Sequence, residues 1–294
     1  MKSNQKNKTS IWIHLFFVGF GLVCIIPFMI VVSASFTSIT DLSLHGFSIL
    51  PPKPDVSAYA YLFKNPKQII NGYLVTMFVT IVGTFLSVLV MSMCAYALSR
   101  PRFRLKGLLT AYVFFPTLFS GGMVSSYIIN TKYLHLMDSI WALILPSMVN
   151  VFHIIMLRTF FKQLPDGLFD AAMVDGAGEW RIYGIIALNL SKPAVATVAF
   201  LGALARWNEW YNAMLYIRSE EKYTLQYLLQ RMMRNIQELL NAMEHAPSVA
   251  FAKEIPGENL RMALLVVCIG PMMLFFPFFQ KYFTKGMTVG SVKG

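Results

Sequence analysis

The chain has 294 residues, of which 56% are hydrophobic and only 13% charged, where soluble domains carry about 25% charged residues. So little charge could not keep one or two globular domains in water, and the mean hydropathy of +0.56 points to a bilayer as solvent. The net charge of +11 would suggest a nucleic-acid partner in a soluble chain, but here the basic residues lie mostly outside the apolar runs, where membrane proteins use them to set topology, so no nucleic acid is expected.

Crossing about 30 Å of hydrocarbon takes about 20 helical residues, and six runs of roughly that length recur. The first, 11–32, follows Lys2, Lys6 and Lys8. Ala34 in Val32-Ser33-Ala34-Ser35 imitates part of a signal-peptide cleavage site, but 22 residues exceed the usual signal core, so a retained span is expected. An outer segment, 33–70, carries Pro51-Pro52-Lys53-Pro54. The second run, 71–98, places Thr76, Thr80, Thr84 and Ser87 on one face at steps of four, four and three. Such a hydroxyl stripe either lines a pathway for a polar solute or packs helices. The cluster Arg100, Arg102, Arg104 and Lys106 then separates it from the third run, 108–129.

The fourth run, 140–157, contains Asn150 and His153, read as satisfied inside the bundle. The fifth, 193–217, has an apolar stretch that begins near Ile182; Lys192 would then fall at mid-membrane, so the early part is expected to project below the bilayer. Arg206 and Glu209, three apart, are placed to pair, while Trp207 and Trp210 either stack on rings of a solute or form an interfacial belt. An outer loop, 218–259, has a helix-forming stretch around 225–244 and leads to the sixth run, 260–279. The short, basic 100–106 loop favours the inside, which makes both termini cytoplasmic. The chain thus divides into an N-terminal span with its outer loop, 1–70, and a core, 71–294. Cys24, Cys94 and Cys268 each sit in an apolar run without ligand spacing, so no metal or other cofactor is expected.

The inner loop, 158–192, is neither a short turn nor a linker. Pro165 suits a helix start, and Leu168, Phe169, Ala172 and Met173 recur at helical spacing. Asp175-Gly176 then ends that helix, and Gly178 with Glu179 opens another. All four acidic residues expected on the cytoplasmic side, Asp166, Asp170, Asp175 and Glu179, lie here. An acidic knob of small residues suits docking to another protein; the other reading is an interfacial helix resting on lipid, which anionic headgroups would oppose.

Asp170-Ala171-Ala172, then Gly176 after three residues, then Ile186-Ala187-Leu188-Asn189 after nine more, resembles the cytoplasmic loop of ATP-binding-cassette importer permeases, with Asp170 for a glutamate and Asn189 for a proline. Trp207-Asn208-Glu209-Trp210 with Ala213-Met214-Leu215 is similar to the smaller membrane subunit of maltose-type carbohydrate importers, in the subgroup handling complex oligosaccharides. So is the ending Phe279-Gln280-Lys281-Tyr282-Phe283, Lys285-Gly286 and 290–294. The resemblance implies an all-α polytopic protein with six transmembrane helices and the type I importer permease fold. It implies a subunit that couples closure of an ATPase pair to alternating access for a carbohydrate. Implied partners are two ATP-binding subunits, a second permease subunit and an extracytoplasmic sugar-binding protein, besides membrane lipid.

By the same resemblance Asp170, Ala171, Ala172, Asp175 and Gly176 couple to the ATPase. From their placement in the spans, Thr76, Thr80, Thr84, Trp207, Glu209 and Trp210 are candidates for the substrate pathway. A phosphate-binding loop needs Gly-Lys followed by Ser or Thr, and Gly-Lys occurs nowhere in the chain, so any hydrolysis belongs to another subunit. The alternative function class is a secondary transporter or channel subunit driven by an ion gradient. Those proteins carry ionisable residues deep in their spans, and here few candidates are evident apart from Lys192, His153, Arg206 and Glu209.

Overall fold

The computed structural model describes residues 3–64, 66–245 and 257–289. Among these the chain is helical, with one isolated antiparallel bridge between Thr37 and Pro54. In chain order the helices are α1 (Ser3–Ser35), α2 (Ile39–His45), α3 (Ser57–Leu62), α4 (Pro66–Ser99), α5 (Lys106–Leu118), α6 (Gly122–Ile128) and α7 (Val151–Lys162). There follow α8 (Asp166–Val174), α9 (Glu179–Arg181), α10 (Leu188–Leu190), α11 (Lys192–Trp207), α12 (Tyr211–Tyr216), α13 (Leu225–His245) and α14 (Glu258–Val289). A π-helical segment, Ile182–Ala187, joins α9 to α10 into one arm.

Two of the expected spans are single, unbroken helices: Ile13–Ser35 within α1, and α4. At 34 residues α4 is about 50 Å long, longer than the hydrocarbon layer is thick, so one end has length to spare outside it. The third run is expected to be continuous but breaks between α5 and α6 with a bend of 115°. Pro116 lies in the last turn of α5, Phe119 is extended, and Gly122 opens the new direction at φ +79°, a conformation that costs glycine nothing. The fourth run is also not one helix. Pro146 and the cap residue Asn150, whose Oδ1 accepts the His153 N–H at 3.2 Å, confine its helix to the 12 residues of α7, preceded by a 3₁₀ turn over Ile140–Leu143. The fifth run is interrupted between α11 and α12. Upstream, the arm Glu179–Leu190 turns 83° from α11, so Lys192 begins α11 and stays exposed.

The chain divides into two compact units, Met1–Lys67 with Leu229–Pro271 and Gln68–Leu228 with Met272–Gly294. In the first, Ser38 caps α2 by accepting the Asp41 N–H at 3.1 Å, and Ser35 shares a 2.8 Å hydrogen bond with Tyr59. Arg261 donates to Glu258 at 2.7 Å and to Gln237 at 2.9 Å, tying α14 to α13. The apolar side chains of α1 from Leu15 to Val23 are exposed, as lipid solvent allows.

In the second unit one apolar cluster gathers Val75, Val79, Leu143, Ile144, Ala213 and Ile217. Another gathers Met91, Ala95 and Leu98 of α4, Ile154, Leu157 and Phe161 of α7, and Phe169, Ile182 and Tyr183 of the inner loop. Asp138 clamps a loop of this unit. Its carboxylate accepts the Ser219 hydroxyl at 2.6 Å, the backbone N–H groups of Ser219 and Arg218 at 3.0 and 3.1 Å, and Lys222 Nζ at 3.0 Å. These donors hold its carboxyl well below the usual carboxylate range.

Candidate functional site

The inner loop folds as an elbow of two helical arms. Gly176 sits at φ +78°, and around it the Gly176 N–H reaches the Met173 carbonyl at 3.1 Å while the Ala177 N–H reaches Ala172 at 2.9 Å. That pair of bonds is the Schellman C-cap, which satisfies the last carbonyls of α8 and requires a left-handed residue after the cap. Gly178 then caps the second arm, with Glu179 in its first turn. The spacing from Asp170 to Gly176 therefore has a local cause: it is one helix end and the residue that terminates it. Asn189 donates to the Ile185 carbonyl at 2.6 Å, and the chain bends at Ser191, ahead of Pro193 in the first turn of α11.

One stripe of α4 grips both arms. Ser92 and Tyr96 are four apart and lie on one face, and Arg100 follows just past the helix end at Ser99. Ser92 shares a buried 2.7 Å hydrogen bond with the Tyr183 hydroxyl, and Tyr96 donates to Glu179 Oε2 at 2.6 Å. Arg100 lies 4.0 Å over the ring of Phe169, which is 2% exposed; such a buried phenyl contributes roughly 1.5–3 kcal/mol. Arg102 approaches Asp170 at 3.4 Å, but both side chains are exposed, so that pair adds little. Arg158 of α7 donates to the Leu98 carbonyl at 3.2 Å and holds the end of α4. A cavity of about 350 Å³ opens beside these contacts, lined in part by Tyr96, Arg100, Glu179, Trp180 and Tyr183.

Phe169 turns inward and Ala172 and Met173 are half-buried, so the free face of the elbow presents Asp170, Ala171, Asp175 and Gly176. Val174 and Trp180 stand beside them, 87% and 73% exposed. Sequence reasoning passed over both. The available signal was that neither belongs to the Leu168, Phe169, Ala172 and Met173 face, leaving an apolar side chain with no place in the core.

The membrane-depth candidates separate. Thr76 is fully buried and its Oγ1 accepts the Leu225 N–H at 2.9 Å, fixing the start of α13. Thr80 and Thr84 have buried hydroxyl oxygens without a hydrogen-bond partner. Trp207 is buried, and Trp210, at the break, packs edge-on to Tyr211 with 5.8 Å between centroids. The expected Arg206–Glu209 pair is replaced by two separate engagements. Arg206 donates to Ser87 Oγ, to the Ser147 carbonyl at 3.1 Å and to the Gly202 carbonyl at 3.4 Å. Glu209 accepts the Asn212 N–H at 2.9 Å, which caps α12. The reason is geometric: the helix ends at Trp207, so Glu209 leaves the face that Arg206 occupies.

Comparison with known proteins completes the site's description. The chain is 36% identical over 282 residues, covering 96% of it and 97% of the relative, to the polygalacturonan/rhamnogalacturonan transport system permease protein YtcP of Bacillus subtilis. It is also 36% identical over 281 residues, 95% of it and 93% of the relative, to protein LplC of Bacillus subtilis. Among solved structures it is similar, with a TM-score of 0.81 and 28% identity over 96% of this chain and 99% of the other, to a chain of a bacterial ABC transporter involved in the import of the acidic polysaccharide alginate. No protein-family model matches it.

Proposed function

The chain belongs to the permeases of sugar ATP-binding-cassette transporters, and on that premise we propose that it forms one half of the membrane pathway of an oligosaccharide importer. It is a non-catalytic membrane subunit of an ATP-driven system, with hydrolysis carried out by a separate chain. The ion-gradient alternative gives way to the end-to-end likeness to an ABC importer. Oligosaccharide cargo is supported by the sugar systems named for its relatives. In our reading two ATPase subunits, a second permease subunit and an extracytoplasmic binding protein complete the assembly, with both termini on the cytoplasmic side.

The observation that carries the coupling role is the elbow itself. Its outer face, Asp170, Ala171, Asp175 and Gly176 with Val174 and Trp180, is free, while its inner face is fastened to α4 through Phe169, Glu179 and Tyr183. Ala172 supports that face from beneath, as the residue whose carbonyl closes the cap. An ATPase that contacts the free face differently in its open and closed states biases the position of α4, and through it the inward-open and outward-open states. The pathway residues in this reading are Thr80 and Thr84, with Thr76, Trp207, Glu209 and Trp210 shaping the break at the end of α11. The segment 290–294, which resembles an ATPase-contacting tail, lies outside the described residues.

Affinity purification of the chain from its own membranes tests the assembly. An ATPase and a binding protein are expected to accompany it, and the complex in proteoliposomes should take up oligosaccharide only when ATP is supplied on the elbow side. Uptake by a preparation free of any nucleotide-hydrolysing chain would overturn the reading.

A further inference from the structure

Arg206 is 6% exposed in the last turn of α11, the helix that breaks before α12. Backbone breaks within a membrane are tolerated where protein or a polar cavity satisfies the freed groups, and in transporters they mark the solute's site. Every acceptor that Arg206 reaches is neutral: the Ser87 hydroxyl and the carbonyls of Ser147 and Gly202. Its Nε has no acceptor at all. A guanidinium does not shed its proton, so a full positive charge sits inside the bundle; Glu209 acts on it through space, but its carboxylate bonds to the Asn212 N–H and not to the guanidinium.

The sequence makes room for this charge. A Cβ on Gly83 would lie 2.5 Å from Arg206 Nε, and one on Gly202 would lie 3.5 Å from Nη1 and 3.9 Å from the Thr84 methyl. The buried, unpartnered hydroxyl of Thr84 therefore belongs to the same neighbourhood, and that of Thr80 follows one turn along α4. Helix packing alone would be served more cheaply by an apolar side chain, because a buried charge costs several kcal/mol unless an anion compensates it. Planar guanidinium matches a carboxylate through two parallel bonds.

The geometry points to Arg206 as the residue that holds the carboxylate of an acidic, uronate-bearing oligosaccharide during passage, with Thr80 and Thr84 bonding to its hydroxyls. This rests on the importer reading above and adds the chemical class of cargo. In the state described here the guanidinium rests on Ser87 and Ser147. Exchange of those neutral acceptors for a carboxylate adds an opposite charge and two parallel bonds that Ser87 and Ser147 cannot supply.

The test uses the assembled transporter in proteoliposomes with one binding protein throughout, and compares ATP-driven uptake of an oligogalacturonate with that of its neutral methyl ester. Wild type is expected to favour the acid. Arg206→Gln should lower the acid-to-ester ratio about tenfold or more, the loss of a charge-assisted hydrogen bond, whereas Arg206→Lys should retain most of it. Equal loss of both substrates in Arg206→Gln, with Arg206→Lys no better, overturns the assignment in favour of a structural tie. An unchanged ratio in Arg206→Gln, or wild-type preference for the ester, overturns it as well. If wild type moves neither of these nor any neutral oligosaccharide under ATP, the importer reading itself falls, and the inference with it.

Discussion

Gly176 shows how far one residue accounts for a motif. Its φ of +78° closes the Schellman cap of α8, yet a Cβ built there meets nothing within 4 Å. Any penalty for substitution is therefore backbone strain, about 1–2 kcal/mol, and not a steric clash with the rest of the chain. We expect Gly176→Leu to insert and assemble normally but to take up less solute per ATP hydrolysed, because it tilts the elbow and crowds its free face. Gly176→Asn, which tolerates the left-handed conformation, should retain most of the coupling. Simultaneous assay of hydrolysis and uptake checks this, and wild-type uptake by the leucine variant would count against docking at this face. That glycine was legible in the sequence because a helix end is written in adjacent residues. The destination of Arg206 was not, since Ser87 and Ser147 lie 119 and 59 residues away.

At the scale of elements, α4 connects the elbow to the hydroxyl stripe. Ser92 and Tyr96 of α4, with Arg100 just past its end, hold the loop, while Thr80, Thr84 and Ser87 occupy the same helix roughly one to four turns before Ser92 and Tyr96. An unbroken helix of 34 residues transmits displacement along its length, because its hydrogen-bonded ladder resists bending. The strut consists of specific bonds, so it has a specific test. Tyr96→Phe and Glu179→Ala should each lower uptake per ATP, and the double variant should be no worse than the poorer single one, since both remove the same hydrogen bond, worth about 1.5–3 kcal/mol. Additive losses would mean that the two residues act independently. Sequence periodicity identified α4 and α8 separately. Their contact through Phe169 and Tyr96 depends on how two remote elements pack, which hydropathy does not encode.

For the whole molecule, the surplus of Lys and Arg in short loops sets an orientation that labelling can check. In a background lacking Cys24, Cys94 and Cys268, an impermeant thiol reagent applied to intact cells should modify Lys53→Cys and leave Arg104→Cys untouched until the membrane is opened. The opposite pattern would invert the topology and place the elbow on the wrong side for an ATPase. The sequence by itself determined the solvent, the positions of the apolar runs, the basic asymmetry and the helix, turn, helix order of the elbow. Each depends on composition or on side chains a few positions apart, where hydropathy and capping act directly. Only the tertiary structure decided where those runs break, which hydroxyls of α4 stay unpartnered and which acceptors surround Arg206. Those outcomes follow from close packing between distant segments, where Gly83 or Gly202 matters for the side chain it leaves out.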